Sequence, residues 1–335
     1  MAHNEKTVSE EFPELFHYTN LSAFRNIYET RKLWATHYHD LNDATEFTRF
    51  RGKVRKFIYP MIRDIFDKEM QRNAEFAAGV NTYGGIDSAV DKEAEDLLDT
   101  VHRHTFGKEM YKETFICSFC AHTLPYEATH GLLSQWRGYG TDGGIAIVFN
   151  TSAIKQMMYD DYDHISQLQL MFLDTVEYDS DDNESDMRIK RRFKTVFEFF
   201  PEIVKRWYSD NEPYDKKELE PLFEKIHDDF VLGSTLVKHH AFHEENEIRI
   251  VVSPKTENSY NCYNPGDTRQ KREILYRPVS HHEARYIELF GNAPLPIKRI
   301  IIGPSRIQNV NCQAIKAIIK SSSIDVVKSE IPFIG

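Results

Sequence analysis

The 335-residue chain reads as an α+β protein, because strand-sized apolar runs recur along its whole length with helical patterns between them. Seven segments are rich in β-branched and aromatic residues: 15–18, 32–36, 114–119, 144–149, 245–252, 297–302 and 324–327. Two longer stretches, about 47–110 and 151–235, read as mainly helical, broken at Gly84-Gly85, an acidic run and Glu212-Pro213. Strands lie before, between and after them. The expectation is therefore one domain over 1–335, with a mixed-sheet core at about 14–46, 111–150 and 236–335 and two helical insertions. No internal repeat argues for a solenoid or propeller.

The first helix is expected over 21–30. Phe24, Ile27 and Tyr28 share one face at i, i+3 and i+4, and Asn20 or Ser22 can cap its start. The apolar runs are too short for a bilayer span, and MAHNEKTVSEEF lacks the basic start and apolar run of a secretory signal. With four cysteines and no disulfide spacing, a cytoplasmic protein without membrane contact is expected. A net charge of −10 opposes non-specific association with polyanions. The basic run Arg188 to Lys194 is a solvated helix face or a local anion contact.

Four polar motifs carry the functional expectation. His17, flanked by Phe16 and Tyr18, ends an early strand and faces away from both neighbours. It can bond a ligand or satisfy a local carbonyl. Asp43 and Glu46 stand three apart before an apolar helical pattern, the spacing of a capping box. Residues 133–144 combine Arg137 and Tyr139 with four glycines, which suits a ligand-contacting loop or a tight turn around a packed Trp136. In 245–252, alternation puts Glu245, Glu247 and Arg249 on one face and Ile248, Ile250 and Val252 on the other. Like charges at i and i+2 need a compensating partner or ligand. Cys117 and Cys120 point to opposite strand faces and are no metal pair, and the adjacent pairs His239-His240 and His281-His282 lack i, i+4 spacing.

In order, FHYTNLSAFRNIYETRKLWAT, LNDATEF, TFICSF, LLSQWRGYGTDGGIAIVF, KHHAFHEENEIRI and IKRIIIGPSR resemble a widespread bacterial family of unknown function, from about residue 14 onward outside the two insertions. Where such proteins tend to read Ser-Phe-Ser, this chain has Ser118-Phe119-Cys120. That family in turn distantly resembles ADP-ribosyltransferases, including DarT-type enzymes. The resemblance implies an ADP-ribosyltransferase-like sheet with NAD as substrate. It places His17, Tyr18 and Thr19 at the NAD ribose and nicotinamide, and Glu247 as the catalytic glutamate. Arg137 would hold the pyrophosphate, Tyr139 or Tyr38 would stack on nicotinamide, and Glu245 would orient the acceptor.

The leading expectation is an NAD-dependent mono-ADP-ribosyltransferase that modifies nucleic acid or protein, acting as a toxin or anti-phage effector with an antitoxin or chaperone partner. Two other classes stay open. One is a metal-dependent nuclease or hydrolase using Asp43, Glu46, Glu245 and Glu247, and the other is a non-catalytic sensing module. On the transferase reading, Glu247→Gln should lower turnover by about 10²–10³ yet barely change stability.

Overall fold

The computed structural model describes residues 6–41, 46–107, 112–140, 143–208, 219–255, 266–279, 282–320 and 323–332. Its strands are β1 (Glu14–Thr19), β2 (Lys32–His37), β3 (Phe115–Cys120), β4 (Ile145–Asn150), β5 (Leu168–Thr175), β6 (Glu177–Asp179), β7 (Val237–His239), β8 (Glu247–Pro254), β9 (Leu275–Pro278), β10 (Glu283–Phe290), β11 (Ile297–Ile302) and β12 (Asp325–Lys328). The helices are α1 (Val8–Glu11), α2 (Leu21–Thr30), α3 (Glu46–Arg72), α4 (Ala74–Thr82), α5 (Ile86–His102), α6 (Pro125–His130), α7 (Leu133–Tyr139), α8 (Thr151–Asp160), α9 (Asn183–Arg192), α10 (Lys194–Trp207), α11 (Glu220–Leu236) and α12 (Gln308–Ile319).

The fold is mixed α+β. Among the described residues ten strands form one sheet in the order β12-β11-β4-β1-β3-β2-β10-β9, with β8 and then β5 attached to β3. All seven strands expected from the sequence are present. Asn20 caps α2 by accepting a bond from the Ala23 amide at 2.9 Å. Gly84 and Gly85, both at positive φ, separate α4 from α5.

The stretch 151–235 is mainly helical, as expected, but also holds two strands that the sequence did not suggest. It contains β5, which runs antiparallel to β8 within the main sheet, and β6, which pairs in parallel with β7. In β5 the buried pattern alternates only over its first four residues, so the strand gives a weak period-two signal. β9 and β10 were likewise not expected. Leu275-Tyr-Arg-Pro is short and polar, as edge strands often are.

β3 has a divided edge. It pairs with β1 only at Phe16–Cys120 and with β2 only at Thr36–Ile116 and His37–Phe115, while its other edge pairs along its whole length with β8. Pairing fixes which residues share a face. One face carries Leu15, Phe119, Ile147, Ile248, Ile250 and Ile300, covered by apolar residues of α2, α8 and α12. The other face is covered by two separate clusters. Ile116, Leu170 and Val251 pack beneath α3, α5, α10 and α11, so both helical excursions share one core. Phe16, Tyr18, Cys120, Ala146, Val148 and Ile301 pack around Trp136. Ser118, Glu247 and Arg249 occupy the seam between these clusters.

Candidate functional site: a charged seam opening into a cleft

β8 begins after Asn246, a left-handed residue at φ 40 that ends the 3-10 turn His240–Glu245. Asn246 and Ala121 exchange backbone and side-chain hydrogen bonds at 2.9 Å, which fixes this corner. Glu247 is thus the first strand residue, and Glu245 stands on the turn rather than on the strand. The sequence expectation of an alternating row is corrected here: all eight residues of β8 are buried, and Glu245 reaches the row from outside it.

What brings the two glutamates together is Lys238 of β7. Its Nζ lies 2.7 Å from Glu245 and 3.2 Å from Glu247, with the lysine side chain only 7% exposed. Arg249 clasps Glu247 through Nε and Nη2 at 2.8 and 2.9 Å and donates from Nη1 to the Thr235 carbonyl at 2.6 Å. The Glu247 amide donates to the Tyr178 hydroxyl of β6 at 2.8 Å. Burial by itself would push the Glu247 carboxyl up. Arg249 and Lys238, with further hydrogen bonds from Arg249 and Ser118, overcome burial and hold it at about 2. Glu245 behaves oppositely, because burial outweighs Lys238 and its carboxyl is pushed up.

The seam opens into a cleft of about 390 Å³ between α7 and the 3-10 turn. Ser134, Gln135, Gly138 and Tyr139 line one side, with Ala241, Phe242, Glu244 and Glu245 on the other. Tyr139 and Phe242 are 48% and 38% exposed, and the Lys238 ammonium sits 4.6 Å from the Phe242 ring centre. Burial raises the Tyr139 phenol, with Glu245 adding to the effect. Glu247 does not line the cleft.

Other expected site residues are dispersed. His17 lies on the opposite face of the sheet from Glu247, against Phe119, and its Nδ1 is 3.1 Å from the Ser118 carbonyl where the β1–β3 ladder breaks. Burial lowers its imidazole pKa. Thr19 shares the His17 face by alternation along β1. Tyr18 is on the Glu247 face, but its hydroxyl pairs with His122 at 2.7 Å and accepts from the Leu132 amide at 2.9 Å. A single cleft containing His17 and Glu247 is therefore excluded by strand geometry. Tyr38 packs in the helical core.

The glycine-rich segment is also reassigned. Residues 133–139 form a helix, Trp136 is fully buried, and its indole donates to the His130 carbonyl at 3.0 Å. A side chain at Gly131 or Gly140 would come within 2.6 Å of that indole, and one at Gly144 within 2.1 Å of Gly140. These glycines make room for Trp136 and for close backbone packing. Gly138 meets nothing within 4 Å and lines the cleft. Arg137 is exposed and does not line it. Thr141 and Asp142 lie outside the described residues, as do Asp43, the Glu46 side chain, His281 and Glu212-Pro213.

Cys117 and Cys120 are buried, unpaired and in different clusters on opposite faces. Among the described residues no three His, Cys, Asp or Glu side chains gather as a metal site requires. In the basic run, Arg188 pairs with Glu177 at 2.8 Å and Arg192 with Asp174 at 3.1 Å. No described helix is long and apolar enough to cross a membrane.

Sequence reasoning missed Lys238, Tyr178, Phe242 and Gln135. Lys238 stands seven residues before Glu245 across a turn, and Tyr178 comes from a remote strand, so no periodicity links either to β8. Neither a curated protein nor a solved structure matches the chain. Residues 135–250 match a family described as a protein of unknown function, DUF2971, and that span runs from Gln135 in the cleft lining through Tyr178 and Lys238 to the charged opening of β8.

Proposed function

We propose that the chain is an NAD-dependent mono-ADP-ribosyltransferase acting on a nucleic acid or protein acceptor, in the role of a toxin or anti-phage effector. The observation that carries this reading is Glu245, a carboxylate held by an ion pair at the mouth of a cleft bordered by two exposed aromatic rings. Transfer breaks the bond between nicotinamide nitrogen and ribose carbon, and nicotinamide leaves with the electron pair. The positive charge that develops on the ribose is stabilised by a fixed carboxylate against the 2′-hydroxyl. An acceptor nucleophile then bonds to the same carbon and gives up its proton.

The geometry redistributes the roles that resemblance implied. Both oxygens of Glu247 already accept bonds from Arg249 and Lys238, so Glu247 serves as anchor and Glu245 as the carboxylate facing substrate. Tyr139 and Phe242 offer faces for the nicotinamide ring. The metal-dependent hydrolase reading is weakened, because the Lys238 ammonium already fills the place between the two carboxylates that a cation would take.

The test is release of nicotinamide from NAD by purified protein in the presence of cellular RNA, DNA and protein, each fraction also followed for label. Glu245→Gln should lower release by about 10²–10³, the usual scale for one lost preorganised group. Wild-type protein that consumes no NAD with any fraction, or a Glu245→Gln variant with full activity, sinks the reading.

A further inference from the structure

The geometry points to Lys238 as a positioning residue of the cleft, one that sets the direction of Glu245 and is itself held by the β6–β7 ribbon. The inference rests on the reading of Glu245 as the carboxylate that faces substrate. It begins with charge balance. Glu247 and Arg249 neutralise each other through two hydrogen bonds, so neither requires a further ion. Lys238 is buried beside them, and a buried ammonium is costly unless it is paired. Glu245 supplies the balancing charge at the shorter distance, 2.7 Å against 3.2 Å to Glu247. Four charges then sum to zero. The same ammonium lies under the Phe242 ring, so one group orients both the carboxylate and an aromatic border of the cleft.

The ribbon explains why Lys238 stays in place. Lys238 pairs with Tyr178 across the parallel β6–β7 ladder, and the Tyr178 hydroxyl accepts from the Glu247 amide. The next residue, Asp179, is fully buried and bound to Arg49 and Lys53 of α3 at 2.9 and 2.7 Å and to the Ser185 hydroxyl at 3.0 Å. Desolvation opposes the charge of Asp179, but these partners hold its carboxyl below the usual range. The second helical excursion thus supplies the Tyr178 contact at Glu247, and the first latches β6, the strand that carries it. They are structural parts of the site.

Among the described residues the charged and titratable groups around Glu245 are Lys238, Glu247 and Arg249, with Tyr139, Tyr178, Cys120 and Glu244 close by. In full-length protein labelled with carboxyl-13C glutamate, and with the Glu245 signal assigned by its loss in Glu245→Gln, Lys238→Met should raise the Glu245 titration by about one to two pH units. Lys238→Arg, which keeps the charge, should restore the wild-type midpoint. A Lys238→Met shift below about 0.3 unit overturns the proposal, because opposite charges this close shift a carboxyl by about a unit or more. If Lys238→Met does not fold, the reciprocal measurement decides. The Lys238 ammonium protons should exchange slowly in wild-type protein and at least about tenfold faster in Glu245→Gln, since loss of a buried partner costs about 1.4 kcal/mol or more. Unchanged exchange overturns the proposal. A shifted titration in a protein that never consumes NAD leaves the positioning role standing and removes the transferase reading alone. An active enzyme with an unmoved titration does the reverse.

Discussion

On the two faces of the central strands, polar residues one position apart meet different fates. His17 projects into a layer closed by α2, α8 and α12, and what it finds there is a backbone carbonyl left over at the forked edge of β3. Glu247 projects into the gap where the helical core and the Trp136 cluster fail to meet. There it finds Arg249, Lys238 and, one step further out, a cleft. A half-buried polar group on a covered face is tolerated when one bond satisfies it, whereas a seam between packing units can hold several charges that balance one another. Candidate sites on this sheet follow from where its covering layers part.

The largest effect should come from opening the charge balance. Arg249→Met leaves Glu247 buried without its two-pronged partner and should cost about 3–5 kcal/mol in thermal or denaturant unfolding. Arg249→Met/Glu247→Leu should recover most of that loss. A single-variant cost below about 1 kcal/mol would mean that the seam is not held by this pair.

The two glutamates should differ in acid. Glu247 titrates at about 2 against an ordinary 4.5, so it adds stability that is present above about pH 5 and lost as pH falls toward 2. At 1.36 kcal/mol per unit the loss is about 3 kcal/mol. Glu245 is shifted upward, so its contribution is present at low pH and lost as pH rises through its raised value. Glu247→Gln should flatten the acid limb of stability followed by circular dichroism, and Glu245→Gln should not. Equal acid limbs in the two variants would erase the distinction between anchor and cleft residue. The expectation that Glu247→Gln leaves stability unchanged is thereby reversed, because Arg249 and Lys238 would keep two positive charges against one.

A smaller effect is expected on the closed face. His17→Ala should cost about 1–3 kcal/mol through the Ser118 carbonyl left without its bond, and NAD binding per folded molecule should be unchanged. Loss of binding without loss of stability would return His17 to the site. Smallest of all is Gly138→Ala. The position is open and within α7, so melting should be unchanged or improved by up to about 1 kcal/mol, while ligand uptake falls as the cleft narrows. Unaltered ligand uptake in that variant would move the ligand away from α7.

Much of this was legible in residue order. Seven strands, the Asn20 cap, the Gly84-Gly85 break and the opposed cysteines follow from periods of 2 and 3.6 residues and from backbone rules that act over a few positions. That Glu245, Glu247 and Arg249 need compensating partners was legible as well, since like charges beside an apolar strand require compensation. Local pattern could not say what compensates them. Lys238 and Tyr178 arrive on a ribbon joined to α3 by ion pairs, Trp136 explains the glycines at 131 and 140, and strand pairing alone separates His17 from Glu247. Alternation tells which residues share a face of one strand, but not which neighbouring strand turns the same face or what layer covers it. Those are set by pairing register and by the packing of helices distant in sequence, and at this site they decided which glutamate is an anchor and which one faces the cleft.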